Sequence, residues 1–156
     1  MERFLSRHAT ILERWCKVVY PYILAAGQGF VSSNHVYVVG GGGDSLHDDV
    51  LSAAINPDGS LGGWATVSHL PQTLIWHTLA QNGSTVYILG GVKVTGSLNS
   101  VNTVYSANVN PDGSLSSWET LTPLPQKLDL GGAGTWNNKL YYFGGENYRY
   151  SSGISV

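Results

Sequence analysis

A chain of 156 residues is long enough for one domain with a real core, and 42% hydrophobic residues suit a folded protein. Only 12% of residues are charged and the net charge is −2, which removes the electrostatic case for nucleic acid or an anionic membrane as partner. The single cysteine, Cys16, excludes an internal disulfide and a cysteine-based zinc site, and no apolar run approaches the length of a membrane span.

Residues 2–17 place Phe4, Leu5, His8, Ile11, Leu12 and Trp15 at the spacing of one helix face, with Glu2, Arg3, Arg7, Glu13 and Arg14 opposite. The same segment carries Leu12-x-x-Trp15, the spacing of Leu61-x-x-Trp64 and Leu115-x-x-Trp118 further on. Residues 1–20 are therefore expected to be either a short amphipathic helix or the last strand of a preceding repeat. Lys17 and the apolar run Val18 to Ala26 imitate a signal peptide. Glu2 and Glu13 interrupt its basic stretch and Pro21 its apolar one, so no leader is expected. Low charge, one unpaired cysteine and Ser/Asn/Gly-rich strands still suit an extracellular or cell-surface protein.

From Pro21 the chain repeats. Val36-Tyr37-Val38-Val39-Gly40-Gly41, Val86-Tyr87-Ile88-Leu89-Gly90-Gly91 and Leu140-Tyr141-Tyr142-Phe143-Gly144-Gly145 are three copies of a strand that stops at two glycines. Pro21, Pro71 and Pro125 stand at one fixed distance before the pair, and Leu24, Leu74 and Leu128 coincide. The units are 21–70, 71–124 and an incomplete 125–156, at offsets of 50 and 54 residues.

The middle copy gives the unit in full. Leu74 to Ala80 is a first strand, Gln81-Asn82-Gly83-Ser84 a turn, and Thr85 to Leu89 a second strand. After Gly90-Gly91 comes a variable loop, Val92 to Ser100, and a third strand over Thr103 to Val109. Asn110-Pro111-Asp112-Gly113 is a tight turn, in which Pro presets φ, Asp bonds locally and Gly takes the left-handed position. Leu115 to Glu119 is a fourth strand. The first copy repeats this through Asn56-Pro57-Asp58-Gly59 and Leu61 to Trp64, whereas Glu146 to Val156 leaves room for at most a poor third strand.

Strand, Gly-Gly, variable loop, then a Trp in the last strand and a Pro-rich exit resemble kelch repeats from about Pro21 to Gly145. The Asn-Pro-Asp-Gly-Ser-Leu-x-x-Trp version is similar to kelch-like repeats of bacterial proteins. The resemblance implies an all-β fold, a partial kelch-type β-propeller of four-stranded antiparallel blades, with Trp64 and Trp118 packing between blades. Propellers carry about 4–8 blades, so missing blades or self-association is expected to close the ring. The implied function is a non-catalytic binding or scaffold module for a protein or glycan partner. The alternative is a piece of a carbohydrate-active propeller enzyme, galactose-oxidase-like or sialic-acid-mutarotase-like, whose catalytic residues lie in absent blades. Neither a Tyr/His/Cys metal set nor a channel-facing acid with Arg is found, since Arg3, Arg7, Arg14 and Arg149 all lie outside the repeat strands.

Four candidate sites remain, each with a plainer reading beside it. Gly40 to Gly43 lacks the Lys-Ser/Thr and the helix of a phosphate loop. Asp44, His47, Asp48 and Asp49 suit a hard cation, yet the second copy has no matching acids, so a solvated turn is expected and no cofactor. Trp76 and His77 on the first strand, and Asp129 on its counterpart, are candidate ligand contacts if that strand lines a channel. The plainer reading of His77 is a buried, satisfied core histidine. Tyr148, Arg149 and Tyr150 form either a stacking edge or a frayed tail.

Overall fold

The computed structural model describes residues 27–42, 46–95, 98–147 and 149–150. The expected helix or strand remnant in 1–20, Pro21 and Leu24, Asp44 and Tyr148 lie outside the described residues. All the described secondary structure is β, in antiparallel sheets, the all-β fold expected above.

The first sheet is β1 (Gln28–Ser32), β2 (His35–Gly42), β3 (Leu46–Ala54) and β4 (Ala65–His69), paired in chain order. β5 (Leu74–Ile75) then precedes the second sheet, which holds β6 (Thr78–Asn82) and β7 (Thr85–Leu89). A hairpin of β8 (Val92–Val94) and β9 (Leu98–Ser100) interrupts it before β10 (Val104–Asn108) and β11 (Glu119–Thr120) complete the order β11-β10-β7-β6. The third sheet has two strands, β12 (Asp129–Trp136) and β13 (Lys139–Glu146). Last comes β14 (Arg149–Tyr150), which pairs with β9, so that β14-β9-β8-β5 make a small separate sheet. The described part of Glu146 to Val156 thus extends that small sheet and supplies no third strand to β13.

The first two strands of each repeat are joined by a two-residue turn. Ser33 and Asn34 (φ 49° and 58°), and Asn137 and Asn138 (φ 47° and 57°), sit in the left-handed region that matches the twist of a tight hairpin. The two Asn-Pro-Asp-Gly turns are equally alike. In each, the aspartate carboxylate accepts the backbone N–H and hydroxyl of the following serine, Ser60 or Ser114, which holds the Asp112 carboxyl below its ordinary pKa. Two expected strands are drawn differently. The fourth begins after its tryptophan, at Ala65 and Glu119, while Leu61 and Leu115 make single bridges to Ile55 and Val109. The first strand of the middle repeat breaks at Trp76, whose φ of 54° takes it out of extended conformation.

Side chains on a strand alternate between faces, and the sheets use this alternation twice in the same way. Tyr37, Val39 and Val50 of the first sheet bury themselves against Val86, Ile88, Tyr105 and Ala107 of the second. The opposite face of the second sheet, with Leu89, Val104 and Tyr87, packs against Ala133, Leu140 and Tyr142 of the third. The first seam carries polar ties as well: Tyr37 donates to the Gly113 carbonyl at 2.9 Å and Trp118 Nε1 donates to Ser68 at 3.1 Å. The first strands of the second and third repeats are stitched side by side. Thr78 donates to the Gly131 carbonyl and Thr135 to the Gln81 carbonyl, at 3.0 and 2.7 Å.

Candidate functional site

Three features of the described residues have the burial or shape to carry chemistry or binding: the glycine joints, the acids of β3 and the groove of the second seam. Each grows out of the repeat.

Gly40, Gly90 and Gly144 all have positive φ, of 52°, 59° and 66°. A Cβ on Gly40 would stand 3.1 Å from the Leu74 carbonyl oxygen, and one on Gly90 would collide with that of Leu128. Leu74 and Leu128 open the next repeat in each case. The first glycine of the pair is therefore a joint at which the following repeat's backbone touches down. Gly144 has the same φ and nothing within 4 Å of its Cβ position. The second glycine works inside its own repeat, where Gly91 is pressed against His77 and the Ile75 carbonyl, and Gly145 against the Asp129 carbonyl.

That second contact places the candidate ligand residues. Trp76 and its counterpart Leu130 share φ 54° and are linked by a hydrogen bond, Leu130 N–H to the Trp76 carbonyl at 3.1 Å. Trp76 is half-buried, His77 is 1% exposed and Asp129 is 0% exposed. Burial is the main force on His77 and pulls its pKa down to about 4; the nearby Leu74 carbonyl offsets only part of it, and neither ring nitrogen reaches hydrogen-bond geometry with a described residue. The imidazole is neutral at pH 7. Asp129 accepts a short hydrogen bond from the Ser100 hydroxyl, and its other oxygen has no partner among the described residues. Where the second repeat has His77 and Ile88, the third has Gly131 and Tyr142, and any Cβ on Gly131 would strike the tyrosine ring. Bulk has moved from one strand to its neighbour.

The acids expected in a solvated turn stand on β3 instead, where they pair with histidines. His47 lies 3.4 Å from Asp49, and His69 lies 3.0 Å from Asp48. Asp48, Asp49 and His69 bring three ligand atoms within 4.8 Å of one another, so oxygen and imidazole donors for a cation stand together. His69 comes from β4, and sequence spacing alone did not connect it to the acids twenty-odd residues earlier. Asp44, the remaining member of the predicted cluster, lies outside the described residues.

A groove of about 570 Å³ lies at the second seam, walled by Leu89, Val104, Leu121, Leu124, Leu140 and Tyr142. A shallower one of about 320 Å³ lies on the first sheet, around Phe30, Val31 and Val36. Every residue that lines either is uncharged.

A repeating all-β protein with glycine joints and apolar seams is the class these features define. No protein-family model and no curated protein matches the chain. Solved structures do: the chain is similar to the structure of YjhT, with a TM-score of 0.64 and 21% identity over 81% of this chain. At that identity the likeness carries the fold alone. This chain spans 36% of the length of that one.

Proposed function

We propose that the three sheets are successive blades of a kelch-type β-propeller and that the chain is a non-catalytic binding or scaffold module for a protein or glycan partner. The observation that carries this reading is the repeated seam. One face of each sheet packs on the opposite face of the next, the first glycine of each pair meets the next repeat's leucine carbonyl, and the first strands lie together. Sheets joined by that one rule turn about a common axis, as propeller blades do. Trp118 packs against the first-seam cluster and donates to Ser68 across it, which supports this reading.

The non-catalytic part rests on access. General acid–base work needs a titrating group within reach of a substrate. Tyr37, His77 and Asp129, fully buried titratable side chains, expose 0%, 1% and 0%, and the half-buried acids Asp48 and Asp49 of β3 are engaged with histidines. Shape and apolar surface are what the chain offers a partner.

Probing the purified chain against glycan arrays and by affinity capture tests this. Retention of an unaltered ligand is the expected outcome, and turnover of any bound sugar would contradict it. Glycan retention abolished by Trp76→Ala would select the glycan branch of the reading; glycan-array silence with protein capture would select the other.

A further inference from the structure

The acids of the first repeat stand where the middle repeat has none. Asp48, Asp49 and His69 correspond to Asn102, Thr103 and Pro123. The match is fixed by a shared backbone bond, from Leu70 N–H to the Asp48 carbonyl and from Leu124 N–H to the Asn102 carbonyl. In the middle repeat these side chains serve the fold: Asn102 donates to the Leu124 carbonyl at 3.2 Å, and Thr103 accepts from Gln72 at 3.0 Å. An ionised aspartate in the place of Asn102 has no proton to give the Leu70 carbonyl. Its carboxylate meets the His69 ring instead, at 3.0 Å. The repeat framework therefore does not call for two adjacent carboxylates at this point.

Strands, not a loop, hold the groups together. Asp49 and His69 are partners across the β3–β4 ladder, and His47, Asp48 and Asp49 are half-buried along β3. One ligand atom from each of Asp48, Asp49 and His69 lies within 4.8 Å of the other two. Two carboxylates so close repel each other, and a shared cation removes that cost. His47 adds a second imidazole, with Nδ1 3.4 Å from the Asp49 carboxylate. That is long for a charge-assisted hydrogen bond, which runs at about 2.7–2.9 Å. Both histidine–aspartate separations instead lie near the edge, about 3.3 Å, of a tetrahedron of ligands around zinc.

We propose that Asp48, Asp49 and His69 bind a divalent transition-metal ion of the zinc class, with His47 beside Asp49 as the fourth donor. Nitrogen and oxygen donors together favour that class, whereas calcium and magnesium take oxygen alone. The ion ties β3 to the end of β4, immediately before Leu70 enters the buried cluster of the first seam. Its role is structural: the ligands come together only when the two strands are in register, so binding stabilises the folded first sheet. The inference rests on the β3–β4 pair alone and stands whether or not the sheets close into a propeller.

The test uses the whole 156-residue chain, stripped of metal and titrated with Zn²⁺ alone, then with Co²⁺ as a visible probe. Saturable binding of one equivalent is expected, with a raised melting temperature and the strong d–d absorption of four-coordinate cobalt. The His69 ring signals of the unmutated chain should shift with Zn²⁺ while those of His35 stay in place. His69→Gln and Asp49→Asn should each weaken Zn²⁺ binding at least tenfold, and their metal-free melts show that they fold. A tenfold excess of Ca²⁺ should leave the cobalt spectrum unchanged. No saturable binding, an unmoved His69 signal, or displacement of cobalt by Ca²⁺ would overturn the proposal. Full Zn²⁺ affinity in either variant would also overturn it, by placing the ion elsewhere on the chain.

Discussion

Ile88 and Tyr142 occupy equivalent places on the second strands of consecutive repeats, and they meet different fates. Ile88 is 0% exposed, held between Val39 and Val50 on one side and its own sheet on the other. Tyr142 faces the same kind of neighbour across the second seam but lines an open groove. Among the described residues the first seam has four strands on each side, and the second has four against two. The lesson of the difference is that a seam in this fold is closed by the third strand, more than by the glycine-ended strand that marks the repeat in sequence. Local signals build the hairpin, and burial comes only when the rest of the repeat is in place.

Several substitutions break or sharpen that contrast. The largest effect is expected from truncation in the closed seam. Ile88→Ala should cost about 2–5 kcal/mol in urea unfolding, the range for a buried aliphatic that leaves a cavity, whereas Phe143→Ala, on the exposed face, should cost under about 1 kcal/mol. Comparable losses at both would show that the third sheet is packed as tightly as the second.

The glycine joints give the next contrast. Gly90→Ala places a Cβ against the Leu128 carbonyl at a positive φ and should cost about 2–4 kcal/mol, strain and overpacking together. Gly144→Ala meets open space and should cost only the backbone share, about 1 kcal/mol. The gap between the two values measures the joint itself.

Acid should loosen the middle repeat through His77. Its folded pKa of about 4 lies below its ordinary value near 6.5, so the unfolded chain binds this proton more readily. Stability from the neutral ring is therefore full above about pH 6.5 and is lost as pH falls through the window down to about 4, by roughly 3 kcal/mol. In His77→Leu this part of the pH dependence should vanish from thermal or urea melts. The smallest effect is expected for Tyr37→Phe, which removes the hydroxyl bond to Gly113 and should cost about 1 kcal/mol.

Much of this architecture was legible in the chain. The second strands, the two-residue hairpins and both Asn-Pro-Asp-Gly turns follow local rules, and the register of Thr85 to Leu89 fell where the glycine pair put it. Positions governed by distant neighbours were not legible. Trp76 has no local reason to take a φ of 54°; its carbonyl is fixed by Leu130, in the next repeat. The fourth strand of the middle repeat begins past Trp118, whose indole N–H donates to Ser68 across the seam. Asp129 read as a candidate ligand contact, since nothing near it in sequence announces the Ser100 hydroxyl from which it accepts.

Hydrogen exchange at the three second strands of the unliganded chain tests the central claim most directly. Among the described residues β2 and β7 are bonded along both edges and β13 along one. The account predicts slow exchange throughout β2 and β7, and an alternating pattern in β13, with the amides that point away from β12 exchanging orders of magnitude faster. Uniform protection of β13, equal to that of β7, would mean that its far edge is already paired and would contradict the account.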